Sequence, residues 1–328
     1  AKRELETPPK FNEDSLKHED KYTRFPKAPG ALGSIADSIM EYMPYPSYEM
    51  ALTVAQHCIS TFGGGLYHIN NLPFNRKRTL LASTGRGKSI ADKYYNELVR
   101  RMALRSDLVN PYIFNGNNSY AVNNMHMELL DHRVRSYIMS EAGLMGKTTA
   151  GTTAETRAYI LNIISASIKS AINAKLLSVR TSENRKMNDA LKTVYGGVAV
   201  FLSESVPTQY VDVLNNSEAF LSGDVAREEL VFVDPEKPEM NFDSEGDIPE
   251  HIVEMMAFLA KQFEESGYTT GDEPGNPDHF SSVDTSEIDE IFKQMCSENL
   301  KEENIKSREG DTVSAAMLSR IPEKVLVT

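Results

Sequence analysis

The stretch Ala82-Ser83-Thr84-Gly85-Arg86-Gly87-Lys88-Ser89 decides how the rest of the chain is read. It fits the phosphate-loop pattern G-x-x-x-x-G-K-[S/T], with Ala at the first position where Gly is commoner. Gly85 and Gly87 let backbone N–H groups turn inward around anionic oxygens, and a following helix adds its positive N-terminal end. Lys88 is then a point charge for β and γ phosphates, and the Ser89 hydroxyl a hard oxygen ligand for Mg2+. Ser83, Thr84, Gly85, Arg86, Gly87, Lys88 and Ser89 form the expected nucleotide-binding set, with ATP and Mg2+ as the expected cofactors. The bland alternative is a glycine turn with an incidental lysine.

The flanks favour the loop. Arg78 to Ala82 reads as a short strand, and Ile90, Tyr94, Leu98 and Met102 recur every four residues, the spacing of a buried helix face. Downstream, the pattern predicts a helix from Ser119 to Leu130 and a strand from Val134 to Met139 that runs into Ser140-Glu141-Ala142-Gly143. A long helix is predicted through Ile160, Ile163, Ile164, Ile168, Ile172 and Leu176, followed by buried strands at Gly197 to Leu202 and Leu230 to Val233. Strands alternating with helices of this length imply an α/β fold, a parallel sheet with helices on both faces, because parallel neighbours need long crossovers. Ligands then bind at the carboxyl ends of the strands.

Outward from this core, the apolar positions from Leu32 to Thr61 predict two helices separated by a turn at Pro44 and Pro46. The division expected is a charged arm over 1–28, a helical lead-in over 29–75, the loop-bearing core over 76–234, and an acidic linker with a helical C-terminal segment over 235–328. That last segment holds predicted helices at Ile252 to Phe263 and Ile288 to Met295, and an apolar tail from Ala315 to Val327 that resembles another helix. No internal repeat is found.

Candidate chemistry follows from strand ends. Glu141 stands just past a strand, where a carboxylate orients or deprotonates the attacking water, or is an ordinary exposed acid. Ser140 occupies the position where an Asp usually supports the magnesium shell, so hydrolysis is expected to be slow unless another acid substitutes. Ser203, with Ser205 and Thr208, follows the Gly197 to Leu202 strand and either senses the γ-phosphate or caps a helix. Arg227 is a candidate arginine finger acting in trans, or a surface arginine. The candidate catalytic set is Lys88, Glu141, Ser203 and Arg227, with Ser89 as the metal ligand.

The chain has 328 residues and a formal net charge of -12, with a pI near 5.2. Such a balance excludes a protein that coats nucleic acid with its whole surface. A local basic groove is still compatible, since Arg76, Lys77, Arg78, Arg86, Lys88, Lys93, Arg100, Arg101 and Arg105 crowd one stretch. Two cysteines, Cys58 and Cys296, in no metal-ligand spacing suggest neither a disulfide framework nor a zinc site, and point to a reduced cytosolic setting. No apolar run reaches the roughly 18 residues of a membrane span, and the first residues are too polar for a secretory signal. The expectation is a cytoplasmic protein with no membrane partner.

Taken in order, FPKAPGALGSIADSI, LLASTGRGKS, NSYAVNNMHMELL, YIMSEAG, FLSESVPTQYVDVL and LSGDVAREELVFV resemble the helicase-like ATPases of phages and mobile elements, a family often joined to primases. The likeness spans about Phe25 to Val233 and extends to Leu318-Ser319-Arg320. It implies a P-loop NTPase fold of the RecA/AAA+ kind with helical N- and C-terminal extensions. It also implies a homo-oligomer, a hexameric ring among the options, that moves or opens single-stranded or duplex DNA, with roles for Lys88, Ser89, Glu141, Ser203 and Arg227. No primase-type zinc motif or acidic polymerase triad occurs, so priming would come from a primase partner. Two other readings stand beside the motor: a nucleotide-dependent assembly or switch protein, and a small-molecule kinase, for which no arginine lid is seen. No Asn-Lys-x-Asp motif for reading guanine occurs.

Overall fold

The computed structural model describes residues 27–105, 110–116, 122–132, 134–139, 150–172, 194–195, 197–214, 227–234, 236–244, 246–266, 281–286 and 289–310. Nearly all of the predicted N-terminal arm, Ser140, Glu141 and the apolar tail from Ala315 lie outside those residues.

Two helices come first, α1 (Gly30–Tyr42) and α2 (Tyr48–Gly63), joined at the turn the prolines predict. Ser47 caps α2 by accepting from the Met50 amide, which satisfies one of the donors a helix start leaves open. A hairpin follows, β1 (Tyr67–Ile69) and β2 (Leu72–Pro73). Its turn residues Asn70 and Asn71 both have positive φ, the conformation a two-residue hairpin loop needs and Asn tolerates.

The main sheet begins at β3 (Arg76–Leu81), which leads through the glycine loop into α3 (Ile90–Ala103). A 3-10 turn (Pro111–Phe114) and α4 (Val122–Asp131) bring the chain to β4 (Val134–Met139). Next come α5 (Ala150–Ile164), a small antiparallel pair β5 (Ala171–Ile172) and β6 (Val194–Tyr195), β7 (Val198–Ser205) and α6 (Pro207–Leu214). The chain then runs through β8 (Glu229–Phe232), α7 (Glu250–Glu265), β9 (Ser281–Ser282), which pairs with β1, and α8 (Asp289–Glu309).

The four strands lie in the order β4-β7-β3-β8, and all are parallel. Every residue of β7 is buried, as expected of a central strand covered on both faces. Alternation sorts its side chains. Val198, Val200 and Leu202 join a core built with α1, α2, α3 and α7, whereas Ala199 and Phe201 join a second core with α4 and α5.

One predicted element is corrected. The helix expected to run to Leu176 stops at Ile164, and Ile172 belongs to β5 instead. The serines of Ser165-Ala166-Ser167-Ile168-Lys169-Ser170 supply the reason: the Ser170 hydroxyl accepts from the Ser167 amide at 3.0 Å and meets the Ser167 hydroxyl at 2.9 Å. Such local bonds compete with the helical ladder, and the Ile168 amide donates instead to the Asn71 carbonyl. The helix predicted at Ile288 to Met295 is far longer, reaching Glu309, and none of its residues is buried.

Candidate functional site

The connections leaving β3 and β7 go to opposite faces of the sheet. The helix after β3, α3, packs into the first core, whereas Tyr210 of α6 reaches Glu228 on the other side, 2.6 Å away, where Thr79 also bonds. A crevice opens where neighbouring strands diverge in this way, at their carboxyl ends. A cleft of about 500 Å3 lies there, lined by Thr84, Gly85, Gly87, Lys88, Ser89, Glu204, Ser205, Val206 and Gln209, with Pro44 and Tyr45 on one wall.

The loop has the geometry its sequence demands. Gly85 and Gly87 have φ of 78° and 80°, values that a side chain would strain. The loop is anchored below by the Ala82 amide, which donates to the Ser205 carbonyl at 3.2 Å, and ahead by the Ile90 amide, which donates to the Gly87 carbonyl at 3.0 Å. Lys88 is folded back, with Nζ donating to the Ala82 carbonyl at 2.8 Å and lying 3.4 Å from that of Ser83. Ser89 precedes α3 and is exposed to the cleft. Arg86 differs from its neighbours, because its side chain turns inward and donates from Nε to the Asp234 carbonyl at 2.9 Å. It ties the loop to the end of β8 and is not among the residues that line the cleft.

The other expected residues are spread out. Ser203 is buried, its Oγ has no hydrogen-bond partner, and it is not part of the cleft lining. Strand alternation explains this: Ser203 shares its face with Phe201, and the next residue points into the cleft. Arg227 donates to the Ser165 hydroxyl at 3.0 Å, just before the amino end of β8. Parallel register puts Glu229 level with Arg78, so Arg227, two residues earlier, lies roughly 20 Å along the strands from Ala82, where its own loop begins. Glu141 and Ser140 are outside the described residues, although β4 directs the chain toward the same end of the sheet as the loop.

Glu204 is the residue sequence reasoning passed over. It is 6 % exposed, Oε1 has no partner, and it lines the cleft with Lys88 and Ser89. Burial pushes its carboxyl up to about 7, the Lys88 ammonium opposes that rise, and Asp92 adds to it. A Glu at a strand end beside a glycine loop was the available signal. Its neighbour Ser203 drew attention only because serines are common phosphate sensors.

The donor set suits magnesium. The Ser89 hydroxyl and a partnerless Glu204 oxygen are hard ligands, and Mg2+ takes most of its remaining shell from waters and phosphates. Among the described residues no group of three or more His, Cys, Asp or Glu could hold a metal by itself.

The basic stretch is engaged within the protein. Arg78 donates to Glu229 at 2.8 Å and Lys77 pairs with Glu228 at 3.1 Å. On the surface, Arg100 meets Glu97 at 2.6 Å, Arg101 meets Glu97 and Asp247, and Arg105 meets Glu250 and Glu254. The cluster seen in sequence is therefore not a free positive face, because acidic residues nearly 150 positions later fold over it. No helix among the described residues is long and apolar enough to cross a membrane.

Comparison of the chain with protein-family models, with curated proteins and with solved structures gives no match.

Proposed function

We propose that the chain is a P-loop ATPase that binds ATP with Mg2+ in the cleft at the ends of β3 and β7. We further propose that it spends the hydrolysis as a helicase-like motor on single-stranded or duplex DNA, in replication of a phage-like or mobile element. The observation that carries this reading is the loop itself: a buried parallel strand, two glycines at positive φ, then Lys88 and Ser89 opening an amphipathic helix.

In this reading Lys88 leaves the carbonyls of Ala82 and Ser83 for the β and γ phosphates. Loop amides and the start of α3 hold the phosphate oxygens. Ser89 and Glu204 would hold the metal, and Mg2+ when bound would supply positive charge against the phosphate oxygens. Glu141 orients the attacking water past the end of β4, or Glu204 does so from β7. The place of Arg227, far from its own loop, supports a role in a neighbouring subunit of a homo-oligomer rather than in its own.

A second reading, a nucleotide-dependent assembly switch with slow turnover, is favoured by the paired arginines. DNA would have to displace carboxylates from Arg100, Arg101 and Arg105 before using them. The test is ATP hydrolysis with and without single-stranded DNA, beside Lys88→Ala, Glu141→Gln and Glu204→Gln. Turnover that DNA stimulates and Lys88→Ala abolishes supports the motor. Tight binding of ATP without turnover supports the switch, and no ATP binding at all overturns both.

A further inference from the structure

Residues 236–244 follow β8 and bring Lys237 beside Gly85 and Tyr45 of the cleft wall, far in sequence from the loop. Their course is fixed at several points. The Arg86 side chain of the loop holds the Asp234 carbonyl, and the Glu236 amide donates to the Asp234 carboxylate at 2.8 Å. Beyond, the Asn241 amide donates to the Pro44 carbonyl at 2.8 Å and its side-chain amide to the Glu41 carbonyl at 2.9 Å. The strap is thus tied to the loop at one end and to the α1–α2 turn at the other.

Between these ties stands Lys237. Its Nζ lies 4.7 Å from the centre of the Tyr45 ring, on the wall of the cleft. A methyl group built on Gly85 would lie 3.3 Å from the same nitrogen. An ammonium is therefore suspended over the apex of the phosphate loop with an aromatic face as its neighbour. A cation over a ring that is still partly in solvent is held by on the order of 1 kcal/mol, whereas a charge-assisted bond to phosphate is stronger. Gly85 has no side chain, so nothing on the loop blocks the path between the ammonium and an oxygen bound there.

We propose that Lys237 is a second phosphate-binding lysine, which rests on Tyr45 and moves onto the terminal phosphates of a bound nucleoside triphosphate. The inference rests on reading the loop as a phosphate site. It gives the strap a function: binding draws residues 236–244 toward the loop, and through Asn241 the pull reaches the α1–α2 turn. Tyr45 serves as the perch.

The experiment is calorimetric titration of the full chain with ATP, AMP and inorganic tripolyphosphate, for the wild type, Lys237→Ala and Lys237→Arg. The expected result is about a tenfold loss of affinity for ATP and tripolyphosphate in Lys237→Ala, as one lost charge-assisted bond implies. AMP should bind unchanged, and Lys237→Arg should restore most of the loss. Equal affinities of the wild type and Lys237→Ala for tripolyphosphate and ATP would overturn the inference and leave the phosphate-loop reading standing. A uniform loss for all three ligands assigns Lys237 to folding of the strap and also overturns it. A wild type that binds none of them overturns both readings together.

Discussion

At the scale of single residues, Glu204 is where the cleft stores free energy. A carboxyl whose value rises from near 4.5 to about 7 in the fold takes up a proton that the unfolded chain has already lost. Stability therefore falls as pH rises across that window, and is unaffected by this group below it. Replacing Glu204 with Gln removes the dependence. Without nucleotide or metal, Glu204→Gln should stabilise the chain at pH 8 by about 2–3 kcal/mol more than it does at pH 4.5. Urea denaturation of both proteins at the two pH values measures this, and a difference that does not change with pH would refute it. The same residue explains why the site was only partly legible. A glycine loop is written in consecutive letters, so the positive-φ turn at Gly85 and Gly87 and the place of Lys88 and Ser89 beside it could be read directly. A buried Glu on β7 looks like any strand-end acid until register puts it beside Lys88.

Elements were legible where their period was long. The helices α1, α2, α3 and α7 carry apolar residues at helical spacing over three or more turns, and β7 is a continuous apolar run; each appears close to where the pattern puts it. The β1–β2 hairpin has too few residues for any period to show. After Ile164, the isoleucine spacing persisted by chance while serine side chains ended the helix. One contact between elements makes a further prediction. Gly65 follows α2 at a point where a Cβ would fall inside the Phe263 ring of α7 and crowd Val134. Both neighbours are buried, so neither side chain can swing into solvent. Gly65→Ala should cost about 1–3 kcal/mol of stability through overpacking. A lowered urea midpoint with an unchanged slope is the expected result, and a midpoint within error of wild type would show that the α2–α7 corner yields.

Across the whole molecule, the core is assembled from distant parts. Ile252, Val253, Met256, Ala257, Ala260 and Phe263 of α7 are buried in the same cluster as α1, α2 and the sheet. The acidic region that composition sets apart as a linker thus contributes a wall of the core, and its carboxylates close over Arg101 and Arg105. A chain ended at residue 245 should lack a cooperative unfolding transition, since α2 would be left with an uncovered apolar face. Circular dichroism melts read this, and a sharp transition in the shortened chain would show that the sheet and first two helices suffice.

The late position of α7 also sets a clock on the ribosome. Between the making of Ser89 and of Glu250, 161 further residues must be added, which takes on the order of ten to thirty seconds at ordinary elongation rates. Throughout that interval the end of α2 lacks the cover that Leu259 and Phe263 of α7 later place over Gly63 and Gly65, so the nascent chain must hold an apolar helix face open until α7 is made.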